Sequence, residues 1–223
     1  MSTPNWDRLW RSAGIQFVVF FVIACVIYGH LPGVSASADE LVGFYTGDRT
    51  RILIAAALLG LNVLNLMWFA AALRNTLADA GKDGWGAAAT ASSAAFGALF
   101  LLLIAIGAGL AYSIASSGNH SLASALNGLG WALLVLSSFP RAMLSMSAAF
   151  GLWRAGLISN ALFAVGVAVV VLGVLGGTTW LSGGVWALDG AYTRFVSPIV
   201  GLVWVLIVSR VLLSRSPATR AGW

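Results

Sequence analysis

Residues 88–112 read AATASSAAFGALFLLLIAIGAGLAY, an unbroken stretch without a charged side chain. An α-helix rises about 1.5 Å per residue, so about 20 apolar residues cross a hydrocarbon core of roughly 30 Å. This stretch is long enough to do so. It shows none of the period-two alternation of a membrane barrel strand, and it is rich in Ala and Leu, so the helix is the expected form. Working outward, further runs of the same character lie near 10–30, 51–73, 128–150, 157–177 and 195–214. The expectation is an all-α polytopic membrane bundle of six transmembrane helices, forming a single transmembrane domain over 1–223.

Composition agrees. Hydrophobic residues make up 60% of the chain and charged residues 9%, with a mean hydropathy of +0.93, against roughly 25% charged in a soluble domain. The polar connections near 31–50, 74–87 and 178–194 are too short to bury a core of their own. The net charge of +5 does not point to nucleic acid, because the basic residues are spread among helix ends and form no single patch. The positive-inside rule accounts for them. With a cytoplasmic N-terminus, the inner side holds Arg8, Arg11, Arg74, Lys82, Arg154, Arg210, Arg215 and Arg220, and the outer side holds Arg49, Arg51 and Arg194. Both termini are expected in the cytoplasm and the protein in the plasma membrane. Trp6, Trp10, Trp85 and Trp153 mark the inner interface, and Trp131, Trp180 and Trp186 the outer one. Trp204 falls mid-helix and breaks the pattern.

Arg8 and Arg11 before an apolar run, with Ala36-Ser37-Ala38 after it, have the outline of a cleaved signal peptide, but the run is longer than a signal peptide's and is read as a retained helix. Small residues let membrane helices approach closely, and Ala94 with Ala98, Ala105 with Gly109, and Gly166 with Gly173 are the candidate contact positions. The 31–50 segment, with Asp39, Glu40, Asp48, Arg49 and nearby Arg51, reads as a charged outer loop.

Arg141 is the residue that most needs explaining. It follows Pro140 inside the apolar stretch 121–153, and no acidic residue lies in any of the spans. If the inner turn is Gly151-Leu-Trp-Arg-Ala-Gly156, Arg141 lies ten residues, or about 15 Å, back from it, near mid-membrane and level with Gly166. The alternative ends the crossing at Phe139 and lets Arg141 snorkel to the interface. A deep arginine costs about 2.5–3.5 kcal/mol on insertion scales unless it is partnered. The neutral partners on offer are Asn62 and Asn65, which share one helix face, and Gln16 on the first helix. These four residues form the candidate ligand site, with interhelical polar bridging as the purely structural alternative.

Catalytic and cofactor patterns are missing. The sequence holds no Gly-x-Ser-x-Gly, no His-Glu-x-x-His and no P-loop, and His30 and His120 have no recognised ligand spacing. No catalytic, metal-binding or cofactor-binding residue is assigned and no cofactor is expected. The single cysteine, Cys25, allows no disulfide within the chain. Phe44-Tyr45, Arg49 to Arg51, Pro140-Arg141 and Trp153-Arg154-Ala-Gly-Leu157 together resemble the small six-helix integral membrane proteins of unknown function found in actinobacteria. That resemblance implies fold and membrane location and transfers no activity. The sequence therefore reads as a non-enzymatic membrane protein that binds or moves an amphipathic, anionic small molecule or lipid near Arg141. The other readings are an accessory subunit that docks a membrane-protein partner or a second copy of itself, and a membrane enzyme acting on lipid. Membrane lipid is the expected environment and nucleic acid is not a partner.

Overall fold

A computed structural model describes residues 9–214; Trp6, Arg8, Arg215 and Arg220 of the interface pattern lie outside the described residues. Among the described residues the regular structure is all helical, apart from an isolated bridge between Leu181 and Ala187. Its helices are α1 (Ala13–Tyr28), α2 (Ala38–Gly47), α3 (Arg49–Asp79), α4 (Asp83–Gly109), α5 (His120–Leu136), α6 (Ser138–Arg154), α7 (Asn160–Gly176) and α8 (Ser197–Ser214). A π turn (Leu110–Ile114) and a 3-10 turn (Ala115–Ser117) extend α4, and a second π turn (Tyr192–Val196) leads into α8.

Counting these extensions, and α5 with α6 as one rod, four helices are long and apolar enough to cross a membrane: Arg49–Asp79, Asp83–Ser117, His120–Arg154 and Tyr192–Ser214. The chain is thus a helical membrane protein. α1 and α7 are equally apolar but shorter, 16 and 17 residues, or about 24–26 Å. Large apolar side chains are left on the outside of the bundle, among them Val19, Val26, Leu61, Leu64, Val165, Val171 and Val203, as expected where the surrounding medium is hydrocarbon.

Helix formation runs past the apolar segments at several ends. The α6–α7 turn lies later than the sequence suggests. Gly151 packs against Leu77 and Trp85, Leu152 is fully buried, and the helix continues to Arg154. It then closes on a Schellman cap: Gly156 has φ +67°, its N–H donates to the Trp153 carbonyl (2.9 Å), and the Leu157 N–H donates to the Leu152 carbonyl (2.9 Å). The register shifts accordingly. Ala142 faces Gly173, and Ala149 faces Gly166, so Arg141 sits about two turns further from this hairpin than level with Gly166. It is 13 residues, or about 20 Å, before Arg154.

The helical rod does not end at Phe139. α5 and α6 abut with Ser137 alone between them, and the Arg141 N–H still donates to the Ser137 carbonyl at 3.3 Å. Pro140 falls in the first turn of α6, where a missing donor costs little.

The 31–50 segment is not only loop. Ser37 caps α2, its Oγ accepting from the Glu40 N–H at 3.2 Å, and Asp39 and Glu40 fill the first turn. Leu41 and Tyr45 of α2 are buried against Ile52, Leu110 and Ala123. The main core lies elsewhere, around Phe17, Leu66, Phe69, Phe96, Leu144, Leu152, Trp204 and Leu212.

α1 and α8 run antiparallel in contact. Arg11 Nη1 donates to the Leu212 carbonyl (3.4 Å) at one end, the near end, and Arg194 Nη1 donates to the Leu31 carbonyl (3.1 Å) at the other, the far end. Of the small-residue pairs, Gly166 and Gly173 are buried contacts within the chain, whereas Ala94, Ala98 and Ala105 face outward. Ala94 and Ala98 touch nothing that needs them small, because α4 buries the neighbouring face of Ser93, Phe96 and Gly97.

Candidate functional site

Helical side chains tilt toward the N-terminus of their helix. The Arg141 side chain accordingly runs toward the far end, along α8. Gly201 makes room for the stem: a Cβ there would lie 3.2 Å from Arg141 Cδ. One turn further on, Arg141 Nη2 donates to Ser138 Oγ (2.9 Å) and to Ser197 Oγ (2.5 Å). Gly176 of α7 closes over both hydroxyls, since a Cβ at that position would lie 2.5 Å from Ser197 Oγ and 3.1 Å from Ser138 Oγ. The π turn Tyr192–Val196 ends immediately before Ser197.

A cavity of about 40 Å³ borders Arg141 at the centre of the bundle. Five helices wall it, with Phe17 and Phe21 from α1, Phe69 from α3, Phe96 from α4, Ser145 from α6 and Trp204 from α8. It has the volume for a few waters or a head group the size of a carboxylate, and no more. The mid-helix position of Trp204 is thus a wall position, and its indole is 2% exposed.

The hydrogen-bond balance around this cavity is one-sided. A guanidinium carries five N–H donors. Nη2 of Arg141 is engaged, but Nε and both N–H groups of Nη1 make no hydrogen bond to the described residues, and neither atom is sealed off. Trp204 Nε1 is sealed and without a hydrogen-bond partner, and so is Asn62 Nδ2. Asn62 is fully buried one turn from Leu66, on the face of α3 that lines the cavity. All of these unspent groups are donors. On the cavity wall Ser145 Oγ donates to the Arg141 carbonyl at 3.1 Å and keeps its acceptor lone pairs, one neutral acceptor against this surplus of donors. Among the described residues the ion pairs are Arg51 with Asp48 and Arg194 with Asp189, so Arg141 has no carboxylate partner.

The four residues picked out by sequence divide between two places. Arg141 lines the central cavity, and Asn62 stands one turn away on its α3 wall. Gln16 and Asn65 line a separate groove between α1 and α3. Asn65 Nδ2 reaches Asn62 Oδ1 at 3.5 Å, which links the two places through one weak contact. Sequence reasoning missed Ser138, Ser197 and Trp204. The (i, i+3) spacing of Ser138 and Arg141 was a legible signal, whereas Ser197 comes from a distant helix and had none.

At the far end, a second network ties the segment after α1 to the rest. Asp189 Oδ2 accepts from the Val34 N–H (2.9 Å), Asn127 Nδ2 donates to the Gly33 carbonyl (2.9 Å), and Trp131 Nε1 donates to the Pro32 carbonyl (3.0 Å). The Arg194 guanidinium lies 4.7 Å from the Trp131 ring centre. Burial of Tyr45 beside Asn127 pushes its hydroxyl pKa above the ordinary tyrosine value. Among the described residues, no group of three or more His, Cys, Asp or Glu side chains comes together. No protein-family model, curated protein or solved structure matches the chain.

Proposed function

We propose that this is a six-span plasma-membrane protein with both termini in the cytoplasm, which binds the anionic group of an amphipathic small molecule or lipid at Arg141. The observation that carries the binding reading is the set of unspent Arg141 N–H donors beside the central cavity, with no carboxylate partner among the described residues. Polar groups inside folded proteins are nearly always paired, and a site that offers three N–H groups of one arginine is matched by a ligand that brings acceptors. An anion does so and neutralises the charge, and a guanidinium receives a carboxylate or phosphate with two parallel bonds. The cavity volume limits the enclosed part to the head group, leaving an attached chain to lie between helices.

Two features support the six-span reading. α1 and α7 lie side by side with the long helices and leave apolar faces outside, and a modest thinning or snorkelling accommodates a span a few ångströms short. The near end carries Arg11, Arg74, Lys82, Arg154 and Arg210, and the far end Arg49, Arg51 and Arg194, a bias that supports the near end as the cytoplasmic side. The test is native mass spectrometry of the full chain extracted from its host membrane. The expected result is a discrete bound mass of an anionic lipid or metabolite that is lost in Arg141→Leu. Retention of that anionic ligand in the variant, or wild-type protein that binds neither an anionic host lipid nor added dodecanoate, overturns the reading.

A further inference from the structure

We infer that the groove between α1 and α3 at the near end is a second site, independent of Arg141, for the uncharged, hydroxyl-rich head group of a membrane lipid. The groove holds about 580 Å³, within the usual range for small-molecule sites. Its polar lining consists of carboxamides alone: Gln16 from α1, and Asn65 and Asn75 from α3, with Trp10 and Trp68 beside them. The amides have capacity left. Gln16 Nε2 donates to the Leu9 carbonyl (3.2 Å) and Ser12 Oγ (2.9 Å), and Asn65 Nδ2 to Asn62, while their carbonyl oxygens accept nothing from the described residues. Asn75 makes no side-chain hydrogen bond to them at all. The groove therefore offers acceptors from three amides and donors from at least one, the mixture that hydroxyl groups satisfy because each hydroxyl both donates and accepts.

Charge selects against other head groups. Arg11 and Arg74 flank the groove in sequence but do not line it: the Arg74 stem packs over Gly86 of α4, and Arg11, with its guanidinium 5.9 Å from the Trp10 ring centre, donates to the Leu212 carbonyl on α8. Among the described residues no cation and no carboxylate lines the groove, so neither a phosphate nor an ammonium finds a charge partner in that lining. The indoles supply flat apolar faces for the C–H side of a sugar or cyclic polyol. Leu9 and Trp68 are 52% and 57% exposed on its rim, so the groove opens onto the lipid-facing surface, and a lipid, not a free sugar, is the occupant.

The experiment uses the full chain, delipidated in lauryl dimethylamine oxide to avoid a sugar detergent. Native mass spectrometry follows competition among equal amounts of a glucosyl diacylglycerol, phosphatidylcholine, phosphatidylethanolamine and phosphatidylglycerol with identical chains. The glucosyl lipid is expected to be retained about tenfold over phosphatidylcholine, and Asn75→Leu and Trp68→Leu are each expected to cut that preference at least threefold. Both side chains are exposed, so these variants keep their packing, and circular dichroism verifies it. Arg141→Leu should keep the full preference, which separates this site from the anion site. Equal retention of all four lipids, preference for a charged or zwitterionic lipid, or an unchanged preference in both groove variants overturns the proposal.

Discussion

Replacing Gly166 by alanine tests the register of the α6–α7–α8 contact on which the central cavity depends. A Cβ at Gly166 would lie 2.6 Å from Ala149 Cβ and 2.7 Å from Trp204 Cη2, whereas carbon atoms rest at about 3.5–4.0 Å. Neither neighbour is the far end of a flexible chain, so the helices themselves must separate by about 1 Å. Overpacking of this kind costs about 1–3 kcal/mol, and the alanine recovers up to about 1 kcal/mol of helix propensity. The net expectation is a loss of about 1–2 kcal/mol. At Gly60, inside α3, an added Cβ would meet nothing within 4 Å, so the same substitution there should stabilise by about 0.5–1 kcal/mol. Unfolding in mixed dodecyl maltoside and sodium dodecyl sulfate micelles, followed by circular dichroism, measures both. A cycle with Ala149→Gly should show a favourable coupling of about 1 kcal/mol, because it removes one of the two clashes. Gly166→Ala at or above wild-type stability, or a purely additive cycle, refutes the packing described here.

Three further outcomes follow from the same geometry. Arg141→Lys should hold a bound anion less well than wild type but better than Arg141→Leu, since an ammonium keeps the charge but loses the planar fork that serves Ser138, Ser197 and the ligand together; ligand titration by native mass spectrometry ranks the three. Gly201→Ala should weaken binding without unfolding the chain, because its methyl must displace Arg141 Cδ at 3.2 Å. Asp189→Ala removes the acceptor of the Val34 N–H; with about 1 kcal/mol lost, hydrogen exchange at Val34 should quicken roughly fivefold, while Ala142 and Ala149 in α6 keep their protection.

The helical membrane character was legible because long charge-free runs admit few other structures in lipid. Helix ends were not, since hydropathy marks where lipid stops and helices do not stop there. α3 continues six residues past Leu73 to Asp79, and α5 begins at His120, eight residues before the apolar run. α2 was present in the sequence as a Ser37-x-x-Glu40 capping signal, masked by its charges. At the candidate site, the prominence of Arg141 came from its isolation in an apolar stretch, and its burial beside a cavity is tertiary. Asn62, Asn65 and Gln16 were chosen for polarity at similar depth, but a helix has several faces. Asn65 looks toward α1, while Leu66 and Phe69 look toward Arg141.

The position of Arg141 has an electrical consequence. Measured along α5 and α6, it stands about 15 Å from Trp131 and about 20 Å from Arg154, and its guanidinium is drawn back one turn toward Ser138 and Ser197. A monoanion arriving from the far side would thus cross about a third of the membrane field before meeting it. A full crossing is worth about 2.3 kcal/mol per 100 mV, so a third amounts to roughly 0.8 kcal/mol, or about a fourfold change in affinity. On the proposed topology, with the near end in a negative cytoplasm, polarising the membrane would loosen the anion, and depolarising it would let the site fill.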